Sequence, residues 1–362
     1  PALEMQTLQR SLQGSHQPML TAYLNPFFWM CHMETDATFG NHLVADQDIE
    51  ANTALGMEHP IVFVTAEHDR CAECGRLLIA TTVVKCNRHE HAAEACPLAF
   101  CSQKCRDFAW KTYHKVQDHQ GLGDLYAECL GHQNFLDMIF SLKIISMMQL
   151  PESNKHALNY IAAFLANPHL VEKTPLYTMK GTNTEELLSI VKISNSVTMP
   201  KHKEETLPAL FALRSLYSFG DMSGVSELYG PSCLVNHSCE PNVTVGRSDL
   251  DGGLGDVKPF SIDSIRPIKK GEQLCFDYRS NSMTPQSMRK ANLKHQYGFD
   301  CHCRLCNDGI SRCDYAGCGA VTASLKRCSK CKSAVYCNRA CQAKDWAHHK
   351  RYCGLKADGR CF

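Results

Sequence analysis

No stretch of the 362-residue chain approaches 18 consecutive apolar residues, so no membrane-spanning helix is expected. The run from Tyr23 to Met30 is short, holds Pro26 and lacks a basic flank, so it does not read as a secretory signal. Net charge is scarce too: 38 Lys and Arg stand against 37 Asp and Glu. One local excess breaks that balance, since residues 311–362 hold eleven Lys and Arg against three Asp and Glu. A basic tail on an acidic body can mark a nucleic-acid arm. Zinc ions on clustered thiolates give a plainer account, because two such ions on seven thiolates would lower the tail to about +5. Direct nucleic-acid binding is therefore not expected. What the chain does have is 22 cysteines. It is too long to need disulfides for stability, and without a secretory signal these cysteines read as metal ligands. The length suits two or three domains, and a 44% hydrophobic fraction suffices for a core.

The densest cysteines lie near the C-terminus: Cys313, Cys318, Cys328, Cys331, Cys337, Cys341 and Cys353, with His348 and His349. Two- and three-residue spacings let one tight turn aim two thiolates at one ion, and the set suffices for two four-coordinate zinc sites. A disulfide cluster is the plain alternative, which a pattern this long disfavours. The spacing, with Asp345-Trp346 ahead of the histidines, resembles a MYND zinc finger. That resemblance implies interleaved sites, Cys313, Cys318, Cys337 and Cys341 on one ion and Cys328, Cys331, His349 and Cys353 on the other. An earlier block holds Cys71, Cys74, Cys86, Cys96, Cys101, Cys105 and His114, with His89 and His91 inside it, and resembles a second such finger. By analogy Cys71, Cys74, Cys101 and Cys105 share one ion, and Cys86, Cys96 and His114 serve another. Asp118 stands where the pattern's last cysteine would be, so Asp118 or His119 is the expected fourth ligand. A third cluster, Cys301, Cys303 and Cys306, is one ligand short, and Cys239 is the best donor. The total is about five zinc ions.

Three further motifs occur in order: Asn236-His237-Ser238-Cys239-Glu240-Pro241-Asn242, then Gly271-Glu272-Gln273-Leu274 running to Asp277-Tyr278, then the Cys301 cluster. Together they resemble the signatures and post-SET segment of SET-domain methyltransferases. Phe39-Gly40-Asn41-His42-Leu43 resembles the family's cofactor loop, with His42 where a second glycine is usual. A finger lying between these halves points to the SET-and-MYND (SMYD-type) lysine methyltransferases. The resemblance implies an α+β fold: a β-rich catalytic core split by a finger and a helical insert. The expected order is an extension (1–35), the first SET part (36–70), finger 1 (71–119), a helical insert (120–230), the second SET part (231–280), the post-SET segment (281–310) and finger 2 (311–362).

The hydrophobic pattern fits that plan. Helical spacing runs from Leu125 to Leu150 and from Ala157 to Leu165. A capping box at Thr182–Glu185 opens a helix through Val191, and Pro208 sits near the start of another from Leu207 to Phe219. Thr284-Pro285 opens a helix that ends at Tyr297. Strands are expected at Leu43–Ile49, Ile61–Val64, Val243–Val245, Val257–Ile262 and Gln273–Tyr278, with Gly252, Gly253 and Gly255 turning a hairpin between Val245 and Val257.

The resemblance implies S-adenosylmethionine as methyl donor and a lysine-bearing protein or peptide as acceptor. Tyr278 would orient the lysine amine. Gly40, Asn41, His42, Asn236 and His237 would contact the cofactor, and Tyr297 and Phe299 would wall the pocket. Plain readings stand beside these: Asn236 and His237 as a pair bracing the zinc site, and Tyr297 and Phe299 as a helix-end aromatic cluster. Fingers of this type imply proline-rich peptide partners. A non-catalytic adaptor using those fingers is the alternative to the enzyme. A reduced compartment, cytoplasm or nucleus, suits the thiols. Cys31, Cys129, Cys233, Cys275 and Cys361 fall outside every site and read as small buried hydrophobes.

Overall fold

The computed structural model describes residues 30–353 except 37, 87–95, 133, 166–191, 201–202, 221–223, 248–259, 279–285, 308–310, 316, 319, 323, 333 and 351–352. The capping box at 182–185, the glycine turn at 252–255, Thr284-Pro285, His89, His91 and Cys361 lie outside these residues.

The chain opens with a hairpin of β1 (Cys31–Asp36) and β2 (Gly40–Ala45), in register from Cys31 opposite Ala45 to Asp36 opposite Gly40. Asp36 Oδ1 accepts the N–H groups of Thr38 and Phe39 at 2.6 and 2.7 Å, and Gly40 closes the turn at φ +64°. That left-handed conformation suits a residue without Cβ. β1 begins inside the stretch taken from the sequence as an extension. Only Cys31 and Met33 point inward before three exposed polar residues, so its period-2 signal is faint. β3 (Ala54–Glu58) and β4 (Val62–Thr65) follow.

The block expected as finger 1 carries β5 (Val84–Lys85), paired with β6 (Ala99–Phe100), and α1 (Gln103–Thr112), capped by Ser102. Then come α2 (His119–Cys129), α3 (Phe135–Met148) and α4 (Pro151–Leu165). The single helical run expected from Leu125 to Leu150 is in fact two helices. Gly131 takes φ +88° just after the C-cap Leu130, which ends α2. α4 starts earlier than Ala157, at Pro151, whose fixed φ suits a first helical turn. α3 is buried on nearly every side, which marks a central core helix. In α5 (Lys203–Tyr217) Pro208 falls in the second turn and removes one backbone donor.

β7 (Ser218–Phe219) and β8 (Val225–Leu228) add strands to a stretch expected to be wholly helical. β8 lies between β4 and β7 with all four residues buried. β9 (Asn236–His237), β10 (Val243–Arg247), β11 (Phe260–Ser264) and β12 (Cys275–Phe276) follow in the stretch expected as the second SET part. β11 is flanked antiparallel by β10 and β3, whereas β9 and β12 run parallel. α6 (Gln286–Tyr297) and the single turn α7 (Arg304–Asn307) lead into finger 2. There β13 (Ser311–Arg312) pairs with β14 (Val321–Thr322), and β15 (Lys326–Arg327) with β16 (Val335–Tyr336), before α8 (Arg339–His349). The fold is α+β, as expected. Its main core reaches from β1 to β12, and a small cluster of Cys239, Leu293, Cys301, Leu305 and Cys306, edged by Tyr297 and Phe299, packs beside it.

Candidate functional site

The two signatures are bound together by backbone and by one amide. Ser238 and Asn242 donate their N–H groups to Phe276 and Cys275 carbonyls, both at 3.0 Å. Asn242, 2% exposed, donates from its side chain to Glu272 Oε1 (3.0 Å) and the Gln273 carbonyl (2.8 Å), and accepts from Cys275 N–H (2.8 Å). Such a fully satisfied buried amide fixes register between segments. Asn242 stands in the first motif, but nothing local in the sequence signals this bracing of the second.

Tyr278 emerges at the end of this crossing. Its N–H donates to His237 Nδ1 at 3.3 Å, and its hydroxyl donates to the Val235 carbonyl at 3.2 Å. Phe276, Tyr297, Phe299 and His237 surround the ring, with centroids 4.8, 5.0, 6.4 and 5.4 Å away. Burial, and then the neighbouring Tyr217, Tyr297, Cys275 and Cys233, push the phenol well above its ordinary pKa. It therefore stays protonated and acts as a donor. Tyr217, at the end of α5, is a neighbour that sequence reading missed. It is stacked on Phe164 at 4.7 Å, and nothing local in the sequence signals its approach to Tyr278.

Across from this cluster stands the tip of the first hairpin. Asn236 Nδ2 donates to the Phe39 carbonyl at 3.1 Å, tying β9 to the Gly40 turn. No atom lies within 4 Å of where a Gly40 Cβ would stand, so the turn faces open space. Asn41 Oδ1 accepts from the Thr35 hydroxyl at 2.8 Å. The His42 ring is buried; its Nδ1 meets the Gly40 carbonyl at 2.9 Å and its Nε2 lies 3.7 Å from Asp36 and 3.9 Å from Glu34. Gly40, Asn236, His237, Tyr278, Tyr297 and Phe299 are thus brought to one region. Half-buried amide, protonated phenol and aromatic faces form a donor set suited to a cofactor with both amino and aromatic ends, and the open turn leaves room for it.

Among the described residues five groups of donor atoms converge, each within 4.8 Å. They are Cys71, Cys74, Cys101 and Cys105; Cys86, Cys96, His114 and His119; Cys239, Cys301, Cys303 and Cys306; Cys313, Cys318, Cys337 and Cys341; and Cys328, Cys331, His349 and Cys353. Sulfur separations of 3.5 Å (Cys74 to Cys101), 3.7 Å (Cys239 to Cys306) and 3.5 Å (Cys318 to Cys337) can be set against the ion's needs. A tetrahedron with bonds of about 2.3 Å has edges of about 3.8 Å, so the sets fit zinc. The thiols also betray mutual pressure. Hydrogen bonds within the third group hold Cys301 far below its ordinary pKa and drive Cys239 far above it. Four thiolates can coexist there only around a cation.

In the second group His119 joins through Nδ1, 4.0 Å from Cys86 Sγ, while Asp118 is occupied as the N-cap of α2, accepting Gly121 N–H at 2.7 Å. His349 is buried and 3.6 Å from Cys331, whereas its neighbour His348 faces Asp345 at 3.8 Å. His237 Nε2 lies 3.3 Å from Cys239 Sγ, so the pair Asn236-His237 touches both the hairpin tip and the third metal group.

Comparison with known families matches residues 40–279 to the SET domain and residues 313–353 to the MYND finger. The histone-lysine N-methyltransferase SET5 of Saccharomyces cerevisiae is 20% identical over 325 residues, covering 76% of this chain and 60% of that protein. Mouse histone-lysine N-methyltransferase SMYD3 is 22% identical over 291 residues, covering 75% and 60%. A SET and MYND domain-containing protein of Dictyostelium discoideum is 29% identical over 189 residues, covering 50% and 44%. The chain spans about 60% of the length of the first two. Among solved structures, Rubisco LSMT bound to AdoMet is 15% identical with a TM-score of 0.34, covering 79% of this chain and 57% of that one, a likeness too slight to carry an argument.

Proposed function

The chain belongs to the SET-domain family, in its SET-and-MYND branch, and on that premise we propose that it is an S-adenosylmethionine-dependent protein-lysine N-methyltransferase. The observation that carries this reading is the seat of Tyr278: a protonated hydroxyl held on the Val235 carbonyl, inside an aromatic wall, beside Asn236 and the open Gly40 turn. S-adenosylmethionine, when bound, supplies a methyl group on a sulfonium. Gly40, Asn41, His42, Asn236 and His237 would hold it, and Tyr297 and Phe299 would close the pocket. A lysine side chain must enter as the neutral amine, although its ordinary pKa is about 10.4. Apolar walls such as Phe276, Tyr297 and Phe299 favour that form by desolvation. Tyr278 would fix the direction of the amine through its hydroxyl and carbonyl anchor rather than act as a base.

Zinc would sit in all five cysteine groups, bound by Cys71, Cys74, Cys101, Cys105; Cys86, Cys96, His114, His119; Cys239, Cys301, Cys303, Cys306; Cys313, Cys318, Cys337, Cys341; and Cys328, Cys331, His349, Cys353. The fingers would also take protein partners, proline-rich peptides being the expected class. Exposed apolar side chains on finger 1, Leu77, Ile79 and Phe108, support that use. Among the described residues no helix is long and apolar enough to cross a membrane. Cytoplasm or nucleus remains the proposed location.

Titration of S-adenosylmethionine into zinc-loaded protein, followed by transfer of a radiolabelled methyl to lysine peptides, tests the reading. Binding and transfer are expected, and Tyr278→Phe should lower transfer by about 10²-fold. Equal activity would remove Tyr278 from its role. Peptide binding without any cofactor binding would favour the adaptor instead.

A further inference from the structure

We propose that Glu58, far from every motif, is the positioning residue that holds Tyr278 and Asn236 in place for the transfer, an inference that rests on the function proposed above. Glu58 ends β3 and is 5% exposed. Its Oε2 accepts the Gly230 N–H at 2.9 Å and its Oε1 accepts the Ser232 N–H at 2.6 Å. Among the described residues no cationic side chain pairs with it, so donors from Gly230 and Ser232 compensate its burial. Those donors belong to a single 3-10 turn, Pro231–Leu234, with Gly230 as its N-cap. Such a turn leaves its first N–H groups unsatisfied, and Pro231 has none to offer. The carboxylate thus caps the turn from another element.

The consequence runs down the chain. Cys233 N–H donates to the Gly230 carbonyl at 3.2 Å and Val235 N–H donates to the Ser232 carbonyl at 3.3 Å, so the turn is closed on itself. Its next carbonyl, that of Val235, receives the Tyr278 hydroxyl, and the residue after it is Asn236. The other side of the turn is also held: a Cβ on Gly230 would stand 2.9 Å from the Tyr160 ring. Glu58 and Tyr160 therefore grip one short turn whose exit carries both the anchor of the candidate catalytic hydroxyl and the candidate cofactor amide. Among the described residues the Cys233 thiol faces the Glu58 charge, the Tyr160 ring packs on Gly230, the Tyr278 hydroxyl sits on the Val235 carbonyl, and Tyr229, just past β8, donates to Glu227 Oε2 at 3.1 Å.

A glutamine in this place keeps the shape but presents one acceptor and one donor, so one of the two N–H groups loses its partner. Glu58→Gln in the zinc-loaded full chain should lower kcat about tenfold while the KM for a lysine peptide stays within twofold. Hydrogen exchange should quicken at 230–236 and not in the fingers. Glu58→Asp, which keeps the charge but withdraws it by one methylene, should fall between and serves if the glutamine variant does not fold. A kcat within twofold of wild type in whichever variant folds would overturn the inference, as would unchanged exchange at 230–236. If the wild-type chain neither binds S-adenosylmethionine nor transfers a methyl, the proposed function fails and so does the role in transfer. The exchange arm then separately decides whether Glu58 holds the turn.

Discussion

Glu58 illustrates how a single buried carboxylate writes itself into the pH dependence of the fold. Burial pushes its pKa up to about 7, against the pull of the Ser232 and Gly230 hydrogen bonds. Its ordinary value is 4.5, so between about 4.5 and about 7 the native chain keeps a proton that the unfolded chain has released. Stability therefore falls as pH rises through that window and levels above it. Glu58→Gln removes the effect. The stability difference between variant and wild type should shift by about 1 kcal/mol between pH of about 6 and about 8, with wild type losing the more. Urea unfolding of zinc-loaded protein at the two pH values measures it. Asp314, also raised to about 7 by burial, is common to both proteins and cancels. No sequence motif announces Glu58, because its partners stand 172 and 174 residues away. The crossing that carries Tyr278 and the convergence of the cysteine groups were legible for the opposite reason. They lie in motifs of fixed residue types at short spacings, and spacing survives in a bare sequence. His119 falls between the two: it is one of two neighbours that could serve, and the fold separates them by bringing His119 to Cys86, Cys96 and His114 while Asp118 caps α2.

At the scale of elements, legibility followed length. α3 and α4 carry enough turns for a helical pattern to show, and β12 falls inside the strand expected at Gln273–Tyr278, whereas β7 and β9 are two residues each and exist only because a partner strand pairs with them. α3 also shows what a hydrophobic pattern conceals. Lys143 lies on its buried surface, 8% exposed, 3.2 Å from Glu73 of finger 1. It donates to the Phe63 carbonyl at 3.0 Å and sits 4.2 Å over the Tyr113 ring. This one side chain joins finger, insert and β4. Removing one member of a buried pair strands the other, at about 3 kcal/mol. Lys143→Met should lose that much in urea unfolding, and Lys143→Met with Glu73→Gln should regain most of it. Equal loss in single and double variants would mean that Lys143 stabilises through its carbonyl and ring contacts rather than through Glu73.

For the whole molecule, the metal groups differ in what they hold together. Cys239 joins the first signature to Cys301, Cys303 and Cys306, which follow directly on Tyr297 and Phe299, so an ion there would close a loop around the candidate pocket. The group of Cys313, Cys318, Cys337 and Cys341 closes only finger 2, whose hydrophobic cluster is its own. Both groups use the same ligand chemistry, yet their loss should have unlike consequences. Native mass spectrometry should find about five zinc ions in the wild-type chain and about four in either Cys239→Ser or Cys337→Ser. Cofactor titration should then separate the two. Cys239→Ser should weaken S-adenosylmethionine binding tenfold or more, about 1.4 kcal/mol, because Asn236, Tyr297 and Phe299 lose their common tie. Cys337→Ser should leave that affinity within twofold and affect peptide capture by finger 2 alone. An equal loss of cofactor binding in both would mean that finger 2 is built into the pocket's support rather than carried beside it.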